Sequence, residues 1–166
     1  MGELEVRGAW VAGGYYLNED PERFTDDGWL RTGDIVTIGP HADLHITDRS
    51  KDLIKSGGEW ISSVALESAL MDHEAVLEAA VIGIPHPRWD ERPLAVVVLK
   101  PGQAASAEEL RAFLQTRFAK WWLPDAFEFT GGLPRTATGK ILKKTLREEY
   151  RDHPGSRGGP ASSQER

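Results

Sequence analysis

The segment Leu133-Pro134-Arg135-Thr136-Ala137-Thr138-Gly139-Lys140-Ile141-Leu142 sets one lysine on a short loop of small residues, ahead of a stretch where Leu142, Leu146 and Tyr150 recur at helical spacing. Pro134 and Gly139 punctuate that loop as a turn. Lys140 is thereby a point cation suited to meeting an anion, although a solvated surface lysine is the commoner outcome for such a local sequence. A Walker phosphate loop is excluded. No glycine stands at the required spacing before Gly139, and Ile141 occupies the position where that motif needs Ser or Thr.

A second group of candidates lies upstream, in Trp29-Leu30-Arg31-Thr32-Gly33-Asp34 and in the run from Ile46-Thr47-Asp48-Arg49-Ser50-Lys51 to Lys55-Ser56-Gly57-Gly58-Glu59-Trp60-Ile61-Ser62. The Asp34 carboxylate follows a tight turn and is able to accept two hydrogen bonds from a vicinal diol such as a ribose. The plain alternative is an Asx-turn. Gly57 and Gly58 permit a backbone that passes close to a ligand, while an ordinary hairpin turn asks for the same residues. Lys51 is a charged residue at a strand entry, which by itself marks only a surface position. The five histidines, His41, His45, His73, His86 and His153, show no metal spacing beyond a single four-residue separation and read as surface or packing residues.

Composition narrows the function classes. The net charge is -6, which leaves no broad basic surface for nucleic acid. Cysteine is absent, so there is no disulfide framework, thiol nucleophile or cysteine-ligated zinc. No stretch reaches the roughly 18 apolar residues of a membrane helix, and Met1-Gly2-Glu3-Leu4-Glu5 has no apolar run; a soluble, cytoplasmic chain is expected. With 166 residues, 40% of them hydrophobic, one compact domain and a small appendage can be built.

The elements that must position these residues alternate between strands and helices. Leu4 to Val6, Trp10 to Ala12 and Asp34 to Ile38 read as short strands whose sheet partners are not in this sequence. Leu44 to Thr47 and Asp52 to Lys55 suggest a hairpin, and Ser62-Ser63 opens a helix with Leu66, Ala69 and Leu70 on one face. Val76 to Ile84 and Leu94 to Leu99 predict two buried strands joined through Pro85-His86-Pro87. Ser106-x-x-Glu109 forms a capping box ahead of Leu110, Phe113, Leu114 and Phe118. A strand near Phe127 to Phe129 then leads into the lysine loop and a closing helix. The pattern predicts an α+β fold, a small sheet with packed helices. Residues 152–166 have almost nothing to bury and read as a disordered tail.

Taken together, these motifs resemble the adenylate-forming, AMP-binding superfamily, and within it the fatty-acyl-CoA synthetases of medium to long chain type. The resemblance covers roughly residues 3–150 and includes Gly2 to Gly8, Gly14-Tyr15-Tyr16, Lys120-Trp121-Trp122-Leu123-Pro124 and the lysine loop, in family order. It implies that residues 1–49 are the last strands of a truncated large domain and that residues 50–151 are the mobile carboxy-terminal domain. It implies ribose-contacting roles for Asp34 and Arg49 and a hinge at Lys51. Lys140 would bridge the acyl carboxylate and the ATP α-phosphate during adenylation. Lys55 would assist the thioester step, with Gly57 and Gly58 lining the tunnel for CoA. The implied substrates are a fatty acid, ATP with magnesium, and CoA, and no protein-held metal is expected. Ala42-Asp43-Leu44, Ala65 and Asp90 depart from the family pattern at peripheral positions. More seriously, the phosphate loop, the adenine-contacting segment and the acyl pocket have no counterpart here, so the chain alone is expected to be inactive. A free-standing nucleotide- or CoA-binding module, an inactive remnant, and a fragment of an aryl-acid CoA ligase stay open beside that reading.

Overall fold

In the computed structural model residues 1–157 are described. The chain divides into two compact units, Met1–Lys51 and Asp52–Arg166.

The first unit is a three-stranded antiparallel sheet in the order β1 (Gly2–Val6), β2 (Leu30–Ile38), β3 (Leu44–Arg49). β2 starts earlier than the Asp34 to Ile38 segment predicted, because Arg31 and Leu30 pair with Glu5 and Val6 of β1. Thr32 Oγ1 adds a bond to the Leu4 carbonyl at 3.0 Å. Trp10 to Ala12 is not a strand. Between Gly8 and the Gly13-Gly14 pair the chain turns back on itself, closed by the Val11 N–H on the Gly8 carbonyl at 3.0 Å.

The expected pairing of Leu44 to Thr47 with Asp52 to Lys55 is also replaced. β3 pairs with β2, and the following hairpin is built from β4 (Ile54–Ser56) and β5 (Glu59–Ile61). Gly57 and Gly58, at φ 61° and 88°, fill its two-residue loop, and positive φ at both central positions is what a type I′ hairpin turn requires.

The second unit is organised around β7 (Asp90–Leu99), which pairs along its length with β6 (Val76–His86), at its start with β4, and in parallel with β8 (Ala126–Phe129). Alternate residues of β6 and β7 enter two separate cores. Val81, Ala95 and Val97 meet Leu66 and Leu70 of α1 (Ser63–Met71) and Leu110 and Leu114 of α2 (Ala107–Gln115). Ile82, Leu94 and Val96 meet Leu146 of α3 (Lys143–Glu149) and Leu133. A strand covered on both faces needs an unbroken apolar run rather than alternation, which is why Leu94 to Leu99 carries no polar residue. Each fully buried Leu, Ile or Val contributes about 1.5–3 kcal/mol.

The caps form as the sequence predicts. Ser62 accepts from the Ala65 N–H at 3.2 Å, and Ser106 and Glu109 make the reciprocal capping box of α2. β6 runs through Pro85 and His86, so the turn to β7 is Pro87-Arg88-Trp89, two residues later than expected. β6 is the edge of the sheet, where a missing amide donor costs nothing. Of the expected tail, residues 158–166 lie outside the described residues. Its beginning is ordered: the His153 imidazole meets Glu128 Oε1 at 2.8 Å, Pro154–Arg157 forms a 3-10 turn, and Gly155 is buried.

Candidate functional site

The loop carrying Lys140 is closed by its own hydrogen bonds. The Gly139 N–H donates to the Thr136 carbonyl at 2.9 Å, the Thr136 N–H to the Lys140 carbonyl at 2.8 Å, and the Lys140 N–H to Thr136 Oγ1 at 3.2 Å. Gly139 takes φ 82°, a conformation that favours glycine. Arg135 donates to the Gly139 carbonyl at 2.6 Å and pairs with Glu78 of β6. The Lys140 side chain is exposed, and its ammonium has no hydrogen-bond or ion-pair partner among the described residues. A cation held out on a closed loop can be brought to an incoming anion with little backbone ordering left to pay.

α3 anchors this loop to the unit. Lys143, three positions beyond Lys140, pairs with Glu67 of α1 at 2.7 Å, both side chains 12% exposed, and donates to Ser63 Oγ at 2.8 Å. Glu67 Oε1 also accepts the Val81 N–H of β6 at 2.7 Å. Arg147 pairs with Asp52 at 2.9 Å. Burial raises the Tyr150 phenol above its ordinary range, reinforced by Glu149 and Glu128, as α3 ends against the sheet.

Lys55 stands on β4 beside the glycine turn, with Nζ 5.2 Å from the centre of the Trp60 ring, its cross-strand partner. The Gly57 N–H donates to the Trp89 carbonyl at 2.8 Å, and a Cβ on Gly57 would lie 2.7 Å from the Trp89 ring. Gly57 therefore touches an indole directly. Gly58 faces open space. An open cleft of about 440 Å³ lies between the turn, Glu59, Trp89 and Trp121, with Arg92 at its floor.

Arg92 is the residue sequence reading missed. It is 8% exposed, and its guanidinium donates to both carboxylate oxygens of Asp125 at 2.8 Å, to Ser56 Oγ at 2.9 Å, and to the carbonyls of Trp121 at 2.8 Å and Leu123 at 3.1 Å. The adjacent Glu91 accepts the Lys55 N–H at 3.0 Å. The available signal was an acid–arginine pair placed where the strand turns from polar to wholly apolar.

In the first unit Asp34 and Arg49 face each other across the β2–β3 ladder, with Arg49 Nε 3.3 Å from Asp34 Oδ1. The structure thus brings these two together, and Arg49 remains more than half exposed. Lys51 is exposed and is the last residue of the first unit. The His73 and His86 Nδ1 atoms accept backbone amides of the turns beside them.

Residues 65–140 match the AMP-binding enzyme C-terminal domain. Over 93% of its length the chain is 54% identical to a long-chain-fatty-acid–CoA ligase of Thermus thermophilus, and over 92% it is 51% identical to a 3-methylmercaptopropionyl-CoA ligase of Ruegeria lacuscaerulensis. It spans 29% and 28% of the length of those two relatives. The crystal structure of ATP-bound MatB from Rhodopseudomonas palustris superposes with a TM-score of 0.84 at 35% identity, over 91% of this chain and 30% of that one. The chain carries the carboxy-terminal domain of the adenylate-forming, AMP-binding enzymes. Its relatives are acid–thiol ligases.

Proposed function

We propose that this chain supplies the carboxy-terminal part of a fatty acid–CoA ligase and works together with a large AMP-binding domain. In the first half-reaction a fatty carboxylate attacks the α-phosphorus of ATP, pyrophosphate leaves, and acyl-AMP forms. In the second, the CoA thiol attacks the acyl carbon, AMP leaves, and acyl-CoA forms. The observation that carries this reading is that one small unit presents two separate lysine arms, Lys140 on a self-closed loop and Lys55 on a glycine hairpin.

Lys140 would neutralise the negative charge that gathers as carboxylate meets phosphate. Lys55 would assist the thioester step while Gly57 and Gly58 let the pantetheine arm pass. Asp34 and Arg49, already adjacent, would hold the ribose hydroxyls of the nucleotide, and Lys51 would be the pivot between the two poses. Residues 1–49 then belong to the large domain and 50–151 to the moving one. Magnesium would arrive on the triphosphate; among the described residues no three carboxylate or imidazole groups gather to hold a metal, and no step here is assigned to it. A cytoplasmic setting suits such substrates, and among the described residues no helix is long and apolar enough to cross a membrane.

The test is a graft of the full chain in place of the matching part of the Thermus relative. Lys140→Ala slows acyl-AMP formation by about 100 to 1000-fold, the usual loss when one preorganised donor is removed from a developing charge. Conversion of supplied acyl-AMP and CoA to acyl-CoA stays within about twofold, because Lys140 acts only in the adenylating pose. Equal losses in both steps overturn the assignment. The relatives differ in their acids, so chain length is read from the complete enzyme by supplying fatty and aryl acids in turn.

A further inference from the structure

The β4–β5 hairpin has little backbone hold on the sheet. Its ladder to β7 consists of the single pair Ser56 and Asp90, together with the Gly57 amide on the Trp89 carbonyl. Side chains supply the rest. Consecutive residues of β7 grip consecutive residues of β4: the Glu91 carboxylate takes the Lys55 N–H at 3.0 Å, and the Arg92 guanidinium takes Ser56 Oγ at 2.9 Å.

A guanidinium has five N–H donors in a rigid plane. In Arg92 they meet five acceptors: Asp125 Oδ1 and Oδ2, Ser56 Oγ, and the carbonyls of Trp121 and Leu123. Two segments far apart in sequence converge on that one group: the hairpin, and the continuous stretch that runs from the Lys120–Trp122 turn into β8. The Asp125 pairing is bidentate, so rotation of the guanidinium is blocked and the direction in which it holds Ser56 is fixed.

We infer that Arg92, oriented by Asp125 and assisted by Glu91, is a positioning residue for the thioester half-reaction, setting the place of the Lys55 to Gly58 hairpin through Ser56. This rests on the hairpin having the role given above. Arg92 lies under the cleft and acts through Ser56. Its loss therefore weakens the step that uses the hairpin and spares the step that uses Lys140.

Two measurements separate this proposal from the functional reading beneath it. In the full chain, Ser56→Ala and Arg92→Lys speed amide exchange of Lys55 and Gly57 on the order of tenfold, the loss expected for one charge-assisted bond, while the β6–β7 amides keep their rates. In the graft the same variants raise the KM for CoA and lower kcat/KM of thioester formation on the order of tenfold, with adenylation within about twofold. Ser56→Ala leaves the Arg92–Asp125 pair intact, so it decides the matter if Arg92→Lys fails to fold. Unchanged exchange at Lys55 and Gly57, or equal losses in both half-reactions, overturns the clamp. If instead Lys55→Ala leaves thioester formation at the parent rate, the reading of the hairpin falls, and the exchange result still judges Arg92.

Discussion

The loop around Lys140 closes within Pro134 to Leu142, its bonds running between Thr136, Gly139, Lys140 and their immediate neighbours, with one ion pair to Glu78. The hairpin around Lys55 closes its own turn but takes its place in the unit from Trp89, Glu91 and Arg92 of β7 and its approach, and through Arg92 from Asp125. The first arm is a local structure that the domain carries; the second is assembled by the domain. Perturbations near Lys140 should therefore stay local, whereas the hairpin should respond to changes distant in sequence.

The largest expected effect concerns the joint that would alternate the two arms. In the graft, Lys51→Pro fixes φ near about −65° and removes an amide donor, so thioester formation is lost while adenylation survives. Lys51→Ala, which leaves the backbone free, spares both. A proline variant that is folded by circular dichroism and still makes acyl-CoA at the parent rate places the pivot elsewhere.

A matched pair of glycine substitutions sharpens the comparison. Gly57 and Gly139 both have positive φ, 61° and 82°, so alanine at either brings left-handed strain of about 1–2 kcal/mol. At Gly139 the added Cβ meets nothing within 4 Å, and the loss ends there. At Gly57 it meets the Trp89 ring at 2.7 Å, adding about 1–3 kcal/mol of overpacking. Urea unfolding of the full chain should rank Gly57→Ala as the more destabilising. Equal losses would mean that Trp89 yields and does not fix the hairpin.

The smallest effect lies away from both arms. Glu109 is held below its ordinary carboxylate range, first by the Ser106 backbone N–H on its carboxylate and then by the Ser106 hydroxyl. A depressed folded-state value means the capping box stabilises α2 above the unfolded value near 4.5, and that contribution fades as pH falls through the folded one. Amide protection of α2 should fall on acidification in the parent chain. In Glu109→Gln that acid-dependent loss should be absent, while the lysine loop behaves identically in both.

How much could be read in advance follows from the range of each interaction. The two buried strands, the Ser62 and Ser106 caps, the fold class and the lysine loop were legible because apolar runs, capping residues and Pro/Gly turns act over a few residues. The same reading misplaced Asp52 to Lys55 as a partner of β3 and Trp10 to Ala12 as a strand. For Asp52 to Lys55 the competing partners decide, since β2 takes β3 and the glycine turn takes Ile54 to Ser56; Trp10 to Ala12 lies instead in the turn closed by the Val11 N–H on the Gly8 carbonyl.

Asp34 and Arg49 were named as a pair on the resemblance alone, and the β2–β3 register sets them opposite each other. Arg92 was not named at all. In the sequence it is one arginine among 20 basic residues, and it becomes distinctive only when folding buries it and leaves Asp125, Ser56 and two carbonyls within reach of its five donors. Turn chemistry together with the family resemblance thus named the residues that could do chemistry. The tertiary structure decided which of them are held in place, because a buried guanidinium must have its hydrogen bonds met by whatever segments the fold brings to it.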